Sequence, residues 1–218
     1  MLRNRIIGFV LAFAIAVTVN IERLSADVIQ NASFEMPAVV DSFLVFAPGD
    51  AIGNGWILDP LSGSNALLLK SGGLGGPTTN DGGQYLLFGA APDFGILRQD
   101  VILESSTPYR LTFELGDQPG GPSIGAGIKV DMLFNGVSIL GGQRSFSVPQ
   151  GSPFATKELL FNSGAAGSYR LHLTADGNST SVDAFNLVVV PEPSALTLLS
   201  IATIAFSVTV RCRKRERC

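Results

Sequence analysis

Along the middle of this 218-residue chain, apolar and polar positions alternate with a period of two. Tyr109-Arg-Leu-Thr-Phe-Glu-Leu115 has every odd position apolar, and Tyr169-Arg-Leu-His-Leu173 repeats the pattern. Such alternation puts one set of side chains on one face of an extended strand and predicts half-buried strands at both places. Further strands are expected at 56–58, 66–70, 84–88, 96–103, 128–134, 137–140, 155–161 and 182–190. Between two of these runs stands Asn135-Gly136, a pair suited to a tight hairpin turn because both turn residues need positive φ. The connectors at 71–83, 118–127, 141–142 and 163–167 are rich in Gly, Pro, Ser and Asn, and no stretch between the two ends sustains a 3.6-residue period. About ten short antiparallel strands with long loops predict an all-β domain of two packed sheets, a jelly-roll β-sandwich.

The two ends break this pattern. Arg3 and Arg5 precede an uncharged run over 6–19, and Leu24-Ser25-Ala26 offers a small-residue cleavage site, the layout of a signal peptide spanning 1–26. At the other end, 195–210 is uncharged and Arg211, Arg213, Lys214, Arg215 and Arg217 follow at once. As a helix this run would be about 24 Å long, a marginal but usable single transmembrane helix. Basic residues stay on the cytoplasmic side, so the cluster acts as a stop and places the body of the chain outside. Between body and span lies Val190-Pro191-Glu192-Pro193-Ser194, whose two prolines hold an extended, exposed connector.

This three-part ending over 190–218 resembles the PEP-CTERM sorting signal of Gram-negative and related bacteria, with Pro191, Glu192 and Pro193 as the sorting motif. The resemblance implies an exosortase as the processing partner and an intermediate anchored in the inner membrane. It also implies delivery to the cell surface or to an extracellular polysaccharide or biofilm matrix. The domain organisation expected is therefore 1–26 signal peptide, 27–189 β-sandwich ectodomain and 190–218 sorting signal.

Charge and cysteine usage narrow the chemistry of the body. Residues 27–190 carry fifteen acidic against seven basic side chains, near −8, which argues against nucleic acid or anionic lipid as a partner and leaves neutral glycans or cations. Cys212 and Cys218 are the chain's two cysteines, both in the cationic tail, so the body has no disulfide framework. A bound metal would be a natural brace in its place.

Asn31-Ala-Ser-Phe-Glu35, Gly55-Trp56, the run from Gly83 to Phe88, the run from Pro108 to Phe113 and Val182-Asp-Ala-Phe-Asn186 follow one another along the body. This succession resembles the galactose-binding-like β-sandwiches, a group containing many carbohydrate-binding modules. The resemblance implies that an acid near the first strand and another in the last strand hold a structural Ca2+; Glu35 and Asp183 stand at the matching positions, with Asp81 a weaker third candidate. The strand pattern adds that Asp183 shares a face with Phe185, Leu187 and Val189, so its carboxylate is expected to point inward, where a hard cation would relieve its burial. Alternatively, it accepts hydrogen bonds from loop N–H groups or lies at the rim.

Trp56, the single tryptophan, is a candidate ligand-binding residue because an exposed ring can stack on a sugar; a lone Trp in a sandwich is also a natural core residue. His172, the single histidine, alternates with Leu171 and Leu173 and is expected on the solvated face. Gly121-Pro-Ser-Ile-Gly125 matches a nucleophile elbow in form, but the elbow needs a strand before it and a helix after it, and here a Gly-rich loop surrounds it and a strand follows. One histidine and no cysteine in the body leave no zinc cluster. The expectation is a non-catalytic glycan-binding or structural module of the matrix. The competing class is a small secreted carbohydrate-active hydrolase or cyclase using paired acids, which would show as two close carboxylates in a deep cleft.

Overall fold

The computed structural model describes residues 28–88, 95–118, 125–175 and 179–190. The segments expected as signal peptide, as sorting motif (Pro191, Glu192 and Pro193), as membrane span and as arginine stop lie outside the described residues, as does Gly121-Pro-Ser-Ile124. Among the described residues no helix is long and apolar enough to cross a membrane.

Thirteen strands account for the body: β1 (Phe43–Phe46), β2 (Ala51–Ile52), β3 (Trp56–Leu58), β4 (Ala66–Lys70), β5 (Gln84–Phe88), β6 (Ile96–Leu103), β7 (Pro108–Asp117), β8 (Gly125–Phe134), β9 (Val137–Ser138), β10 (Arg144–Pro149), β11 (Ala155–Asn162), β12 (Gly167–Ala175) and β13 (Thr180–Val189). They form two sheets. One has the order β1-β4-β5-β13-β7-β11; the other has the order β10-β8-β12-β6-β3-β2, with β9 paired to β8. The described residues form an all-β, two-sheet sandwich, as the period-two pattern predicts. Every strand expected from the alternation is present, the one expected at 137–140 shortened to Val137–Ser138. The pattern misses β1, β2 and β10: β1 is four apolar residues without alternation, β2 has two residues, and β10 ends on a proline.

Asn135 and Gly136 both take positive φ, 51° and 80°, and join β8 to β9 as the dipeptide predicts. The odd positions of β7 and β12 pack into the interior: Tyr109, Leu111, Phe113, Leu115, Tyr169, Leu171 and Leu173 are all buried. Aromatic rings join the two sheets across this core. Trp56 stacks on Phe34 at 5.5 Å and meets Phe185 at 5.1 Å; Phe185 stacks on Phe113 at 5.3 Å, and Phe113 meets the edge of Phe146 at 5.3 Å. Each such pair contributes roughly 0.5–1.5 kcal/mol beyond the area it buries.

The outer faces of the two sheets are built differently. The six-stranded sheet carries a second, small apolar cluster of Leu69, Tyr85, Leu87 and Phe154 on the side away from the main core. The glycine-rich segment after β4 roofs it. Tyr85 donates its hydroxyl to Gln118 Oε1 at 2.9 Å, and Gln118 Nε2 donates to the Leu74 carbonyl at 2.9 Å, tying roof to sheet. The outer face of the seven-stranded sheet has no such roof among the described residues and displays the polar positions of β8, β12 and β6.

Candidate functional site

On that open face, register alone sets charged side chains side by side. Asp131 of β8 lies opposite His172 of β12, and His172 lies opposite Arg98 of β6, which in turn lies opposite Ile57 of β3. The next row runs Leu133, Arg170, Asp100. Arg170 grips Asp100 with two hydrogen bonds, Nε to Oδ1 at 2.8 Å and Nη2 to Oδ2 at 3.2 Å. Both side chains remain about half exposed, 41% and 55%. The Arg170 hydrogen bond holds the Asp100 carboxyl below its ordinary range, and the same bond raises Arg170. Arg98 Nε faces Asp59 Oδ2 at 3.1 Å. Asp131 is almost fully buried, its Oδ1 accepting from Met132 N–H at 2.8 Å and the Ser138 hydroxyl at 2.6 Å.

Two hollows open on this face and share Asp100. One of about 220 Å³ is lined by Asp100, Arg170, Leu133, Asn135, Gly136 and Ser168 among others. The other, about 240 Å³, is lined by Asp100, Arg98, Ile57, Gln99 and Gly55. The hairpin turn at Asn135-Gly136 thus forms one wall. Donors and acceptors in fixed orientation beside small apolar patches are what a neutral, hydroxyl-rich ligand requires. His172 lies on this face as expected and is half buried; burial pushes its pKa below the ordinary value, Arg170 and Arg98 add to that, and Asp59 and Asp131 oppose it.

Trp56 is not an exposed platform. It is 0% exposed, stacked on Phe34 and tilted against Phe185, with its indole N–H donating to the Asn31 carbonyl at 3.1 Å. The ring fills the space between the sheets, so none of it can stack on a sugar. Tyr85, Tyr109 and Tyr169 are likewise buried.

Asp183 is buried, but not among Phe185 and Leu187. A bulge interrupts the β13–β7 register between Asp183 and Asn186, and Ala184 takes φ 51°. The extra residue puts Val182, Phe185 and Leu187 on the core side and leaves Asp183 directly opposite Glu114, on the outer side of the six-stranded sheet. Asp183 is 0% exposed, and neither of its carboxylate oxygens accepts a hydrogen bond of normal geometry. Glu114 Oε2 is also buried without a partner, while Oε1 accepts from Asn80 Nδ2 at 3.0 Å. Burial pushes Asp183 up to about 8; the charges of Asp81 and Glu114 add to this, and the nearby Ala184 N–H and Thr79 hydroxyl pull the other way.

Glu35 is engaged elsewhere. Its Oε1 accepts from the N–H groups of Gly83 at 2.7 Å and Gln84 at 3.0 Å, a close approach that Gly82, at φ 71° and without a side chain, leaves room for. The acids facing Asp183 are Asp81 and Glu114 rather than Glu35. Asp81 Oδ2 in turn accepts from the Ser33 hydroxyl at 2.6 Å. Among the described residues no three His, Cys, Asp or Glu side chains stand together as a preformed metal cluster. The donor chemistry nevertheless fits a hard cation, because three carboxylate oxygens of Asp183 and Glu114 are buried with nothing to accept from. These two acids are register partners across β13 and β7, and Asp183 is 0% exposed.

No protein-family model matches this sequence, and no curated protein matches it. Solved structures do. A structure of TmCBM61 in complex with beta-1,4-galactotriose superposes with a TM-score of 0.50 at 16% identity, covering 76% of this chain and all of that one. This likeness shows the fold: the chain has the β-sandwich of that carbohydrate-binding module. The enzymatically active domain of bacteriophage CBA120 tailspike protein 4 gives 0.47 at 10% identity, over 75% of this chain and 21% of that one. The CBM22-1 xylan-binding domain of Xyn10C from Paenibacillus barcinonensis gives 0.43 at 11% identity, over 68% and 94%.

Proposed function

We propose that the body is a non-catalytic glycan-binding module and that the open face of the seven-stranded sheet is its binding surface. The observation that carries this reading is the solvent-facing Arg170–Asp100 pair between two hollows, with no roof over it among the described residues. The Arg170–Asp100 hydrogen bonds already hold both side chains in place, so binding a sugar there orders few further protein groups. The TmCBM61 structure, which holds a galactotriose on the same sandwich, supports a neutral polysaccharide as the ligand class. So does the acidic body, which disfavours polyanions. The full burial of Asp183 counts against its acting as one of a pair of catalytic acids in the hydrolase or cyclase alternative.

Affinity electrophoresis of the purified chain in gels cast with neutral β-glycans tests the assignment, with an Asp100→Ala/Arg170→Ala variant beside it. Retardation lost in the variant supports it. No retardation by any glycan, or equal retardation of both proteins, defeats it.

Two supporting proposals complete the reading. A structural Ca2+ would be held by Asp183 and Glu114, with Asp81 and the Thr79 hydroxyl beside them and Glu35 bracing the neighbouring loop. The ion would supply the positive charge those buried oxygens otherwise lack. The ends of the chain would route it outward: removal of 1–26, a hold in the inner membrane, and exosortase processing near Pro191, Glu192 and Pro193 on the way to the cell surface or matrix. Mass spectrometry of the mature protein's two termini tests the route; an end intact through Cys218 would indicate a permanent anchor instead.

A further inference from the structure

A two-sheet sandwich has four edge strands, and each exposes a row of unpaired N–H and C=O groups that can template pairing with another chain. Three of the four are blunted here. The β11 edge carries Lys157 and Glu158, β10 carries Arg144 and Pro149, and β2 is two residues long. The β1 edge has none of these devices. It reads Phe-Leu-Val-Phe, and its outward side chains Phe43 and Val45 are 41% and 53% exposed. Among the described residues nothing pairs with its outer edge.

We propose that β1 is the contact through which two copies of this chain dimerise, by antiparallel pairing into one twelve-stranded sheet built from two six-stranded ones. The hydrogen-bond parity of the strand supports this. The Lys70 N–H donates to the Ser42 carbonyl, so Ser42, Leu44 and Phe46 turn their backbone groups toward β4, and Phe43 and Val45 turn theirs outward. A two-fold axis perpendicular to the sheet keeps outer faces together. It therefore pairs residues of like parity, and an axis at Leu44 sets Phe43 opposite Val45 of the second copy, twice over. Both pairs lie at positions whose N–H and C=O groups point outward, so each closes a hydrogen-bonded ring. Both also bring an aromatic against a β-branched side chain, a pairing favourable by roughly 0.2–1 kcal/mol.

The test uses the full chain with Cys212→Ser and Cys218→Ser, so that no native thiol remains. Leu44→Cys then places two thiols across the axis at a non-hydrogen-bonded position. There the Cα atoms stand about 4.5 Å apart, within the roughly 4.4–6.8 Å that a disulfide spans. Mild oxidation is expected to give a disulfide-linked dimer on a non-reducing gel, while Leu160→Cys on the β11 edge gives little. Because Leu44 also touches the core, a second measurement stands beside it. Sedimentation of the Val45→Lys chain, altered only at an exposed position, is expected to show dimerisation weakened by roughly tenfold or more. A monomeric parent chain would overturn the proposal. So would a dimer indifferent to Val45→Lys, or cross-linking at Leu160 as efficient as at Leu44, which would locate association in the apolar ends of the chain. If another part of the same chain pairs with β1, the chain stays monomeric, and that too refutes the proposal.

Discussion

The two sheets share one core but treat their outer faces in opposite ways. On the six-stranded sheet, a glycine-rich segment closes over Tyr85, and two acids, Asp183 and Glu114, face each other with three of their four oxygens accepting no hydrogen bond. On the seven-stranded sheet, Asp100 is paired with Arg170 at 2.8 Å with both side chains about half exposed, and Asp59 faces Arg98 at 3.1 Å. Buried charge without a partner is costly, and an exposed pair contributes little to stability. The roofed face therefore governs whether the protein holds together, and the open face is free to be spent on a ligand.

The largest effect should come from the interior that serves both faces. Trp56→Ala removes a fully buried ring from between Phe34 and Phe185, and a loss of about 3–5 kcal/mol in unfolding free energy is expected from denaturant melts. Binding measured per folded molecule should survive. A variant that folds with undiminished stability but no longer binds glycan would return Trp56 to the ligand site.

Next comes the roofed acid. In chain stripped of metal, Asp183 titrates near 8 when folded against an ordinary 3.8, so between these values the folded state holds a proton the unfolded state has lost. Stability should therefore fall as pH rises from about 4 to about 8, by an amount on the order of a few kcal/mol, and level off beyond. Asp183→Asn should flatten that slope. Added Ca2+ should raise the melting temperature of the parent at pH 8 and not that of the variant. A parent chain with no such slope would show that Asp183 is already satisfied.

These contrasts explain what could be read in advance. Strand identity followed from alternation, because a strand buried on one side writes its period into the sequence, as β7 and β12 do. The position of Asp183 did not. One extra residue at Ala184, with no glycine to announce the positive φ, moves the carboxylate from the face of Phe185 to the face of Glu114. The open site was equally hidden: Arg98, Asp100, Arg170 and His172 come from two strands about seventy positions apart, and only the register between them makes them neighbours. Composition could suggest a tryptophan platform, but not that Phe34 and Phe185 already flank that ring.

On the open face, Asp100→Ala and Arg170→Ala should each cost less than about 1 kcal/mol of stability. Glycan affinity should nonetheless drop roughly tenfold or more, equivalent to about 1.4 kcal/mol. Thermal melts and titration calorimetry on the same preparations separate the two quantities. Large destabilisation with unchanged affinity would invert the division of labour between the faces.

The smallest effect is also the most local. His172 is the one histidine in the chain, so its imidazole gives a single, assignable NMR titration. Its folded pKa lies below the ordinary 6.5 because burial, with Arg170 and Arg98 beside it, disfavours the charged ring. The neutral form is thus the one the fold prefers. This contribution to stability is complete above the unfolded pKa and is lost as pH falls through 6.5 toward the folded value, and His172→Gln should remove that dependence. A glycan laid across Arg98 and Asp100 would strip water from the neighbouring ring and lower the titration further. Saturating ligand should therefore shift the curve to lower pH, whereas a curve that does not move would place the sugar on some other surface.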